Sequence, residues 1–391
     1  MKPEHWKLPP QVAGVLTTLE QAGYESYIVG GCVRDHLLGI EPHDWDMTTA
    51  ALPEQVRQCF RRTYDTGIKH GTITVSVGGE HFEVTTFRLD GEYLDGRHPK
   101  DVTFTTSLVE DLRRRDFTIN AMAYHPARGI QDPFGGQEDL EKKQIRGVGE
   151  PVKRFREDGL RMLRAIRFSA QLGFTIEPET FAALVQEAHL IEKISGERIR
   201  EETQKLLLCP YVDRVPLIWE TGLLDLGAAD KTVLCPALSR AAADPAVRWA
   251  LLLMGMDEAS REALVARLKF DRKTEETIRT LLREREEPLP QTLPQARRLL
   301  SRLGRETGLR WLDFRVALAQ TGAAEARRLG GRIVAEGHPL TIGQLALNGN
   351  DLAALGIPKG REMGALLQKM LAAVLEDPAQ NTPENLKKLL P

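Results

Sequence analysis

The chain has 391 residues, more than one ordinary hydrophobic core accommodates, so two to four domains are expected. Its 42% hydrophobic and 28% charged residues are ordinary for a soluble globular protein, and no apolar run reaches membrane-spanning length. A net charge of −2 means that a nucleic-acid partner must be met by local basic patches and not by the field of the whole protein. The start, MKPEHWKLPP, shows no apolar secretory region, and Cys32, Cys59, Cys209 and Cys235 form no C-x-x-C pair. These features predict a reducing, cytoplasmic setting with neither a disulfide framework nor a zinc cluster.

In chain order, a helix over 9–22 leads into the strand Ser26–Val29 and then the pair Gly30-Gly31. Glycines let backbone amides approach a phosphate with no Cβ in the way. A helix opening at that turn would offer free N–H groups to an anion, with Arg34 adding a fixed cation and Asp35 capping or orienting it. Asp44 and Asp46 follow. On a strand, carboxylates at i and i+2 point to one face and repel unless a cation sits between them. Glycine turn plus D-x-D is an arrangement that holds a nucleoside triphosphate and Mg²⁺, the two aspartates being the proposed metal ligands and catalytic residues. Two ions about 3.5–4 Å apart could bind both a nucleophilic 3′-hydroxyl and a leaving pyrophosphate.

TITVSVGGEHFEVTTF predicts a hairpin turning at Gly78-Gly79. Its second strand carries Glu83, either a third carboxylate beside Asp44 and Asp46 or a solvated, ion-paired residue. The segment after it, with Asp95, Arg97 and His98, is rich in glycine and charge and reads as a mobile loop. In DLRRRDFTINAMAY an arginine run meets a buried element, which predicts a pocket wall. Arg115 is assigned to the incoming nucleotide, with Asp116 as an orienting partner or ribose contact and Asn120 as a turn or cap residue. A further strand is expected over 121–125.

Beyond about residue 148 the period is helical almost throughout, with expected helices including 157–172, 178–190, 195–208, 213–222 and 341–347. Breaks with Pro and Gly near 209–210, 286–294 and 337–340 mark seams. On a helix over 157–172, Asp158, Arg161, Arg164 and Arg167 recur every three residues and share one stripe. Taken alone, that stripe is an exposed basic face. The alternative is a template. A carboxylate accepts from an amine and a guanidinium donates to an acceptor, which matches cytosine (N4 amine beside N3) and adenine (N6 amine beside N1). Uracil and guanine, which place a carbonyl beside an N–H, are mismatched.

GGCVRD with DWD, RRDFTINA and EDGLRMLRAIRF together resemble the successive motifs of class II tRNA nucleotidyltransferases, the bacterial CCA-adding enzymes and related poly(A) polymerases. HPLTIGQLALNGNDLAALGIPKGREMGALL resembles that family's tail. The resemblance implies an α+β fold: an N-terminal nucleotidyltransferase head, DNA polymerase β-like with a mixed sheet, followed by an all-α neck, body and tail. The expected bounds are 1–148, 149–210, 211–310 and 311–391. By matching position, Gly31, Arg34, Arg115, Asp158, Arg161, Arg164 and Arg167 would bind nucleotide, while Asp44 and Asp46 would bind Mg²⁺. The implied partners are the tRNA 3′ end, CTP and ATP, with a homodimer implied and no membrane. The expected reaction is untemplated addition of C, C and A with release of pyrophosphate. A-only addition, poly(A) synthesis and non-catalytic RNA binding follow as alternatives in that order.

Overall fold

The computed structural model describes residues 6–90, 102–227 and 230–391. The expected loop around Asp95, Arg97 and His98 lies outside the described residues. The chain forms two compact units, Met1–Asp225 and Leu226–Pro391.

The first unit opens with α1 (Pro10–Gln21), whose Val12, Val15, Leu16 and Leu19 form an i, i+3, i+4, i+7 buried stripe against β1 (Ser26–Val29). After α2 (Gly31–Leu37) come β2 (Met47–Thr49), α3 (Pro53–Cys59), β3 (Thr63–Gly67), β4 (Thr72–Val77) and β5 (Glu80–Thr86). A separate ribbon of β6 (Arg88–Asp90) and β7 (Val102–Phe104) precedes α4 (Leu108–Arg113). Then follow β8 (Ala123–His125), β9 (Gly129–Gln131) and α5 (Gly136–Lys142). Seven strands make one mixed sheet, β3-β4-β5-β2-β1-β8-β9. β1 is buried at every position, as a central strand covered on both faces requires. The β4–β5 hairpin turns at Gly78 and Gly79, both at positive φ, where it was expected.

The parallel pairing of β2 with β5 sets Met47 against Val84. Their preceding residues, Asp46 and Glu83, are therefore neighbours across the two strands. D-x-D itself differs from the expectation, because it precedes β2 and does not lie within the strand. The chain at Asp46 is still held by the sheet, its carbonyl accepting from Val29 N at 3.0 Å.

A short parallel bridge joins β10 (Gln144–Ile145) to β11 (Thr175–Ile176), with α6 (Pro151–Glu157) and α7 (Leu160–Leu172) between them. The expected continuous helix over 157–172 is thus broken. Asp158 ends α6 with φ −146° and ψ 105°, outside both helices. A Cβ on Gly159 would stand 3.1 Å from the Leu190 carbonyl oxygen, so the break is closely packed. α8 (Pro178–Glu187) and α9 (Gly196–Leu207) follow, and the expected helix over 213–222 is reduced to a 3₁₀ turn and α10 (Leu217–Glu220).

The second unit is helical, from α11 (Lys231–Arg240) to a last short helix, Pro383–Lys387. Asp244, Asp257, Asp271 and Thr292 each cap a helix start by accepting a backbone N–H, worth about 1 kcal/mol apiece. α11 was not expected, since it carries Pro236 internally. The helix expected over 341–347 is a single 3₁₀ turn, Ile342–Gln344. No helix of the described residues is long and apolar enough to cross a membrane.

Candidate active site

The site starts at the turn from β1 into α2. Gly30 has φ +83°, and a Cβ there would stand 3.0 Å from Arg115 Nη1. Any L-residue at 30 would be strained in backbone and pressed against the guanidinium. At Gly31 a Cβ would meet only Arg34 Nη2, at an ordinary 3.5 Å. The tight approach thus belongs to Gly30. α2 has only seven residues, so its N-terminus alone is a weak site for an anion.

Arg34 is buried and held on three sides. It bonds Asp35 at 2.8 Å, donates from Nη1 to Asn120 Oδ1 at 2.6 Å, and lies 5.1 Å from the Phe168 ring centroid. Asp35 therefore orients Arg34, one of the two roles expected for it. Asn120 was expected to be a turn residue. It does end a 3₁₀ turn, but its side chain also links Arg34 to Asp116 Oδ1, to which its amide donates at 3.1 Å.

Arg115 leans on the glycine turn, with Nη2 3.6 Å from Asp111. Its Nε–H is buried with no hydrogen-bond partner among the described residues. An unmet charged donor of this kind is costly. Desolvation raises the Asp46 carboxyl pKa, Arg115 pulls it down and Asp44 pushes it up. Desolvation likewise raises Glu83, with Asp46 and then Asp44 adding to it. The three carboxylates thus sit in one another's field. Among the described residues, however, no three His, Cys, Asp or Glu side chains converge as a preformed metal cluster. The donor set still fits a hard divalent cation of the Mg²⁺ type. Such an ion takes one or two carboxylates and completes its shell with water and phosphate oxygen, and its charge relieves this repulsion.

Sequence reasoning missed Asp111. It is fully buried and accepts from Arg114 Nη2 at 2.8 Å, Thr48 Oγ1 at 3.2 Å and Arg88 N at 3.4 Å. Burial alone would raise its carboxyl, but Arg114 and Arg115 hold it below its ordinary value. It ties the strand after Asp46 to the arginine run. Its spacing of i+3 and i+4 to Arg114 and Arg115 on a helix was the available signal.

Asp116 joins the sheet to α7. Its Oδ2 accepts from Arg164 at 2.8 Å and 2.6 Å, and its Oδ1 from Phe117 N at 2.8 Å. Burial opposes its charge, but Arg164 and the Asn120 bond hold it well below the usual carboxylate range. Asp116 in turn raises Arg164. Arg167 bonds Glu202 at 2.6 Å and stacks 4.1 Å from the Phe168 centroid. The expected Asp158–Arg161 stripe divides. Asp158 bonds Arg198 at 2.7 Å and 3.2 Å, while Arg161 donates to Glu157 at 2.6 Å and to the carbonyls of Arg154 and Arg114 at 3.1 Å and 2.9 Å. Arg161 and Arg164 thereby each touch the 114–116 segment that carries Arg115.

The family described as Poly A polymerase head domain matches residues 26–146, and that described as Probable RNA and SrmB- binding site of polymerase A matches 173–226. The CCA-adding enzyme of Geobacillus kaustophilus is 39% identical over 391 residues, covering 97% of this chain and 96% of its own. This chain belongs to the CCA-adding enzyme family. It is therefore a nucleotidyltransferase of class II, as its motifs led us to expect. The CCA-adding enzyme of Lactobacillus gasseri is 38% identical, with 96% of this chain and 95% of its own covered. A crystal structure of the Bacillus stearothermophilus CCA-adding enzyme in complex with CTP superposes with a TM-score of 0.83 at 36% identity, covering 98% of this chain and 97% of that one. The expected fold class, a mixed-sheet nucleotidyltransferase head followed by helices, is borne out.

Proposed function

We propose that this CCA-adding enzyme extends the tRNA 3′ end with C, C and A from CTP and ATP, all at one site. The observation that carries the reading is the juxtaposition of mutually repelling Asp44, Asp46 and Glu83 with Arg115 beside the Gly30 turn. Asp44 and Asp46 would hold Mg²⁺, which when bound would offset negative charge on the reacting phosphate and make the 3′-hydroxyl easier to deprotonate. Arg115 and Arg34 meet the triphosphate, and Asn120, Asp116 and Asp35 fix the guanidinium planes before substrate arrives. The 3′-hydroxyl oxygen of tRNA bonds to the α-phosphorus as the bond from that phosphorus to the bridging oxygen of pyrophosphate breaks, and the hydroxyl proton passes to solvent. Asp158 presents an acceptor to the base edge, and Arg161 would present a donor by exchanging its bond to Glu157 for one to the base. Arg164 and Arg167, locked to Asp116 and Glu202, hold that helix against the nucleotide. The division of labour follows the expected bounds: head 1–148 for chemistry, neck 149–210 for base selection, body 211–310 and tail 311–391 for tRNA.

The test is incubation with labelled CTP, ATP, Mg²⁺ and a tRNA transcript lacking its 3′ end, followed by sequencing of the products. CTP alone should give CC ends and both nucleotides CCA. Products carrying only A would overturn full CCA addition. The same assay tests the template. Asp158→Ala and Arg161→Ala each leave a buried polar edge unpaired, worth about 1–3 kcal/mol. Discrimination against UTP and GTP should shrink by roughly tenfold or more for each. Unchanged ratios at a lower rate would make the stripe a phosphate-binding face.

A further inference from the structure

We infer that Arg198 is a positioning residue for base selection, holding Asp158 so that one acceptor site of its carboxylate, in a fixed direction, faces the exocyclic amine of the incoming base. The inference rests on the template reading above and extends it to a residue on another helix.

Arg198 stands in the first turn of α9, on a different element from the stripe. Its Nη2 lies 2.7 Å from Asp158 Oδ2 and its Nη1 3.2 Å from Oδ1. Oδ1 also accepts from Leu160 N at 3.0 Å. A carboxylate offers roughly four lone-pair sites. Among the described residues three of them are therefore filled, and the free one is on Oδ2. The paired guanidinium bonds fix the carboxylate plane, which a single-point ammonium cannot do. The backbone beneath is fixed independently, since Gly159 is packed against the Leu190 carbonyl. What remains adjustable at Asp158 is the side-chain torsion, and Arg198 sets it. Of the other charges nearby, Arg164 lies within reach of the Asp158 field but is committed to Asp116 at 2.6 Å.

This placement bears on selectivity. Uracil and guanine carry ring N–H groups that a carboxylate can accept just as it accepts an amine. A carboxylate free to swing would reach those N–H groups. One fixed in direction meets only a donor at the amine position. Discrimination between cytosine and uracil, or adenine and guanine, then requires the Asp158 carboxylate and also the arginine that aims it.

The experiment measures relative incorporation of CTP, ATP, UTP and GTP on tRNA lacking its 3′ end, by the full-length enzyme carrying Arg198→Met or Arg198→Lys, each with and without Asp158→Ala. A ratio of incorporation rates does not depend on what fraction of a preparation is folded, so a destabilised variant still reports. Arg198→Met should reduce discrimination against UTP and GTP by about tenfold, comparable to the loss of one directed hydrogen bond. Arg198→Lys should retain only part of the selectivity, because it keeps the charge but loses the fork. In the Asp158→Ala background Arg198→Met should change the ratios no further. If Asp158→Ala shifts the ratios and Arg198→Met leaves them alone, the positioning role falls and the template stands. An equal effect of Arg198→Met with and without Asp158 would also overturn it. If Asp158→Ala itself leaves the ratios unchanged, the template reading fails, and this inference with it.

Discussion

Asp46→Ala and Asp44→Ala should each abolish addition of C and of A together, by on the order of a thousandfold or more, while tRNA binding stays nearly intact. About 4 kcal/mol of transition-state stabilisation corresponds to that factor, a reasonable share for the ligand of a catalytic cation. The common loss follows from a single site serving every addition. Loss of A addition alone would sink the one-site idea. A second readout separates this result from unfolding. The Asp46 carboxyl has its pKa raised in the fold, so above that pKa its charge works against the folded state. Removing it should therefore leave the melting temperature unchanged or raised. The order of effects is expected for a group kept for chemistry at the cost of stability. Single-turnover rates with CTP and with ATP, filter binding of tRNA and a thermal melt of each variant check all parts.

Asp116→Ala should have the opposite profile, with the fold itself weakened by about 3–5 kcal/mol. The substitution leaves Arg164 without its principal counter-charge at a largely buried interface. It also strands the Phe117 N–H and the Asn120 amide. The pH dependence carries the same signature. Asp116 has a folded-state pKa below its unfolded value, so its stabilisation is complete above about pH 4 and is lost as pH falls through the folded value. Asp116→Asn keeps volume and one acceptor but cannot titrate. Its unfolding free energy should therefore fall less steeply with acid than that of the parent enzyme. Denaturant unfolding from pH 6 down to about pH 2, with the slopes compared below about pH 4, decides the matter. Parallel slopes for the two proteins would mean that Asp116 is not the group whose protonation loosens the first unit.

Several features could be read without coordinates because each is a local rule. Gly78-Gly79 between alternating residues can only be a tight turn. The glycine pair after an apolar strand, the D-x-D and the arginine run are recognisable chemistry in linear order. The family and the fold class followed from those blocks and hold. Even Glu83 could be placed near the aspartates, from a hairpin argument alone.

The pairings within the site were decided in three dimensions. A helical stripe of period three puts Asp158 beside Arg161. Breaking the helix at Asp158 instead turns its carboxylate to Arg198, forty residues on, and gives Arg161 to Glu157. Nothing within the 157–172 window marks that break except Gly159, and glycine is tolerated within helices often enough to be passed over. Asp111 read as one charge among many. Only the packing of α4 against β6 and the contact with Thr48 made it a buried acceptor shared by two arginines. Asn120 became a link between Arg34 and Asp116 for the same reason. Residue types and spacing determine which chemistry the chain can perform, because metal ligation and phosphate binding demand particular atoms. Which charge meets which is a matter of burial. Water would let each of these arginines exchange partners, but a desolvated guanidinium keeps the acceptors that the fold places against it.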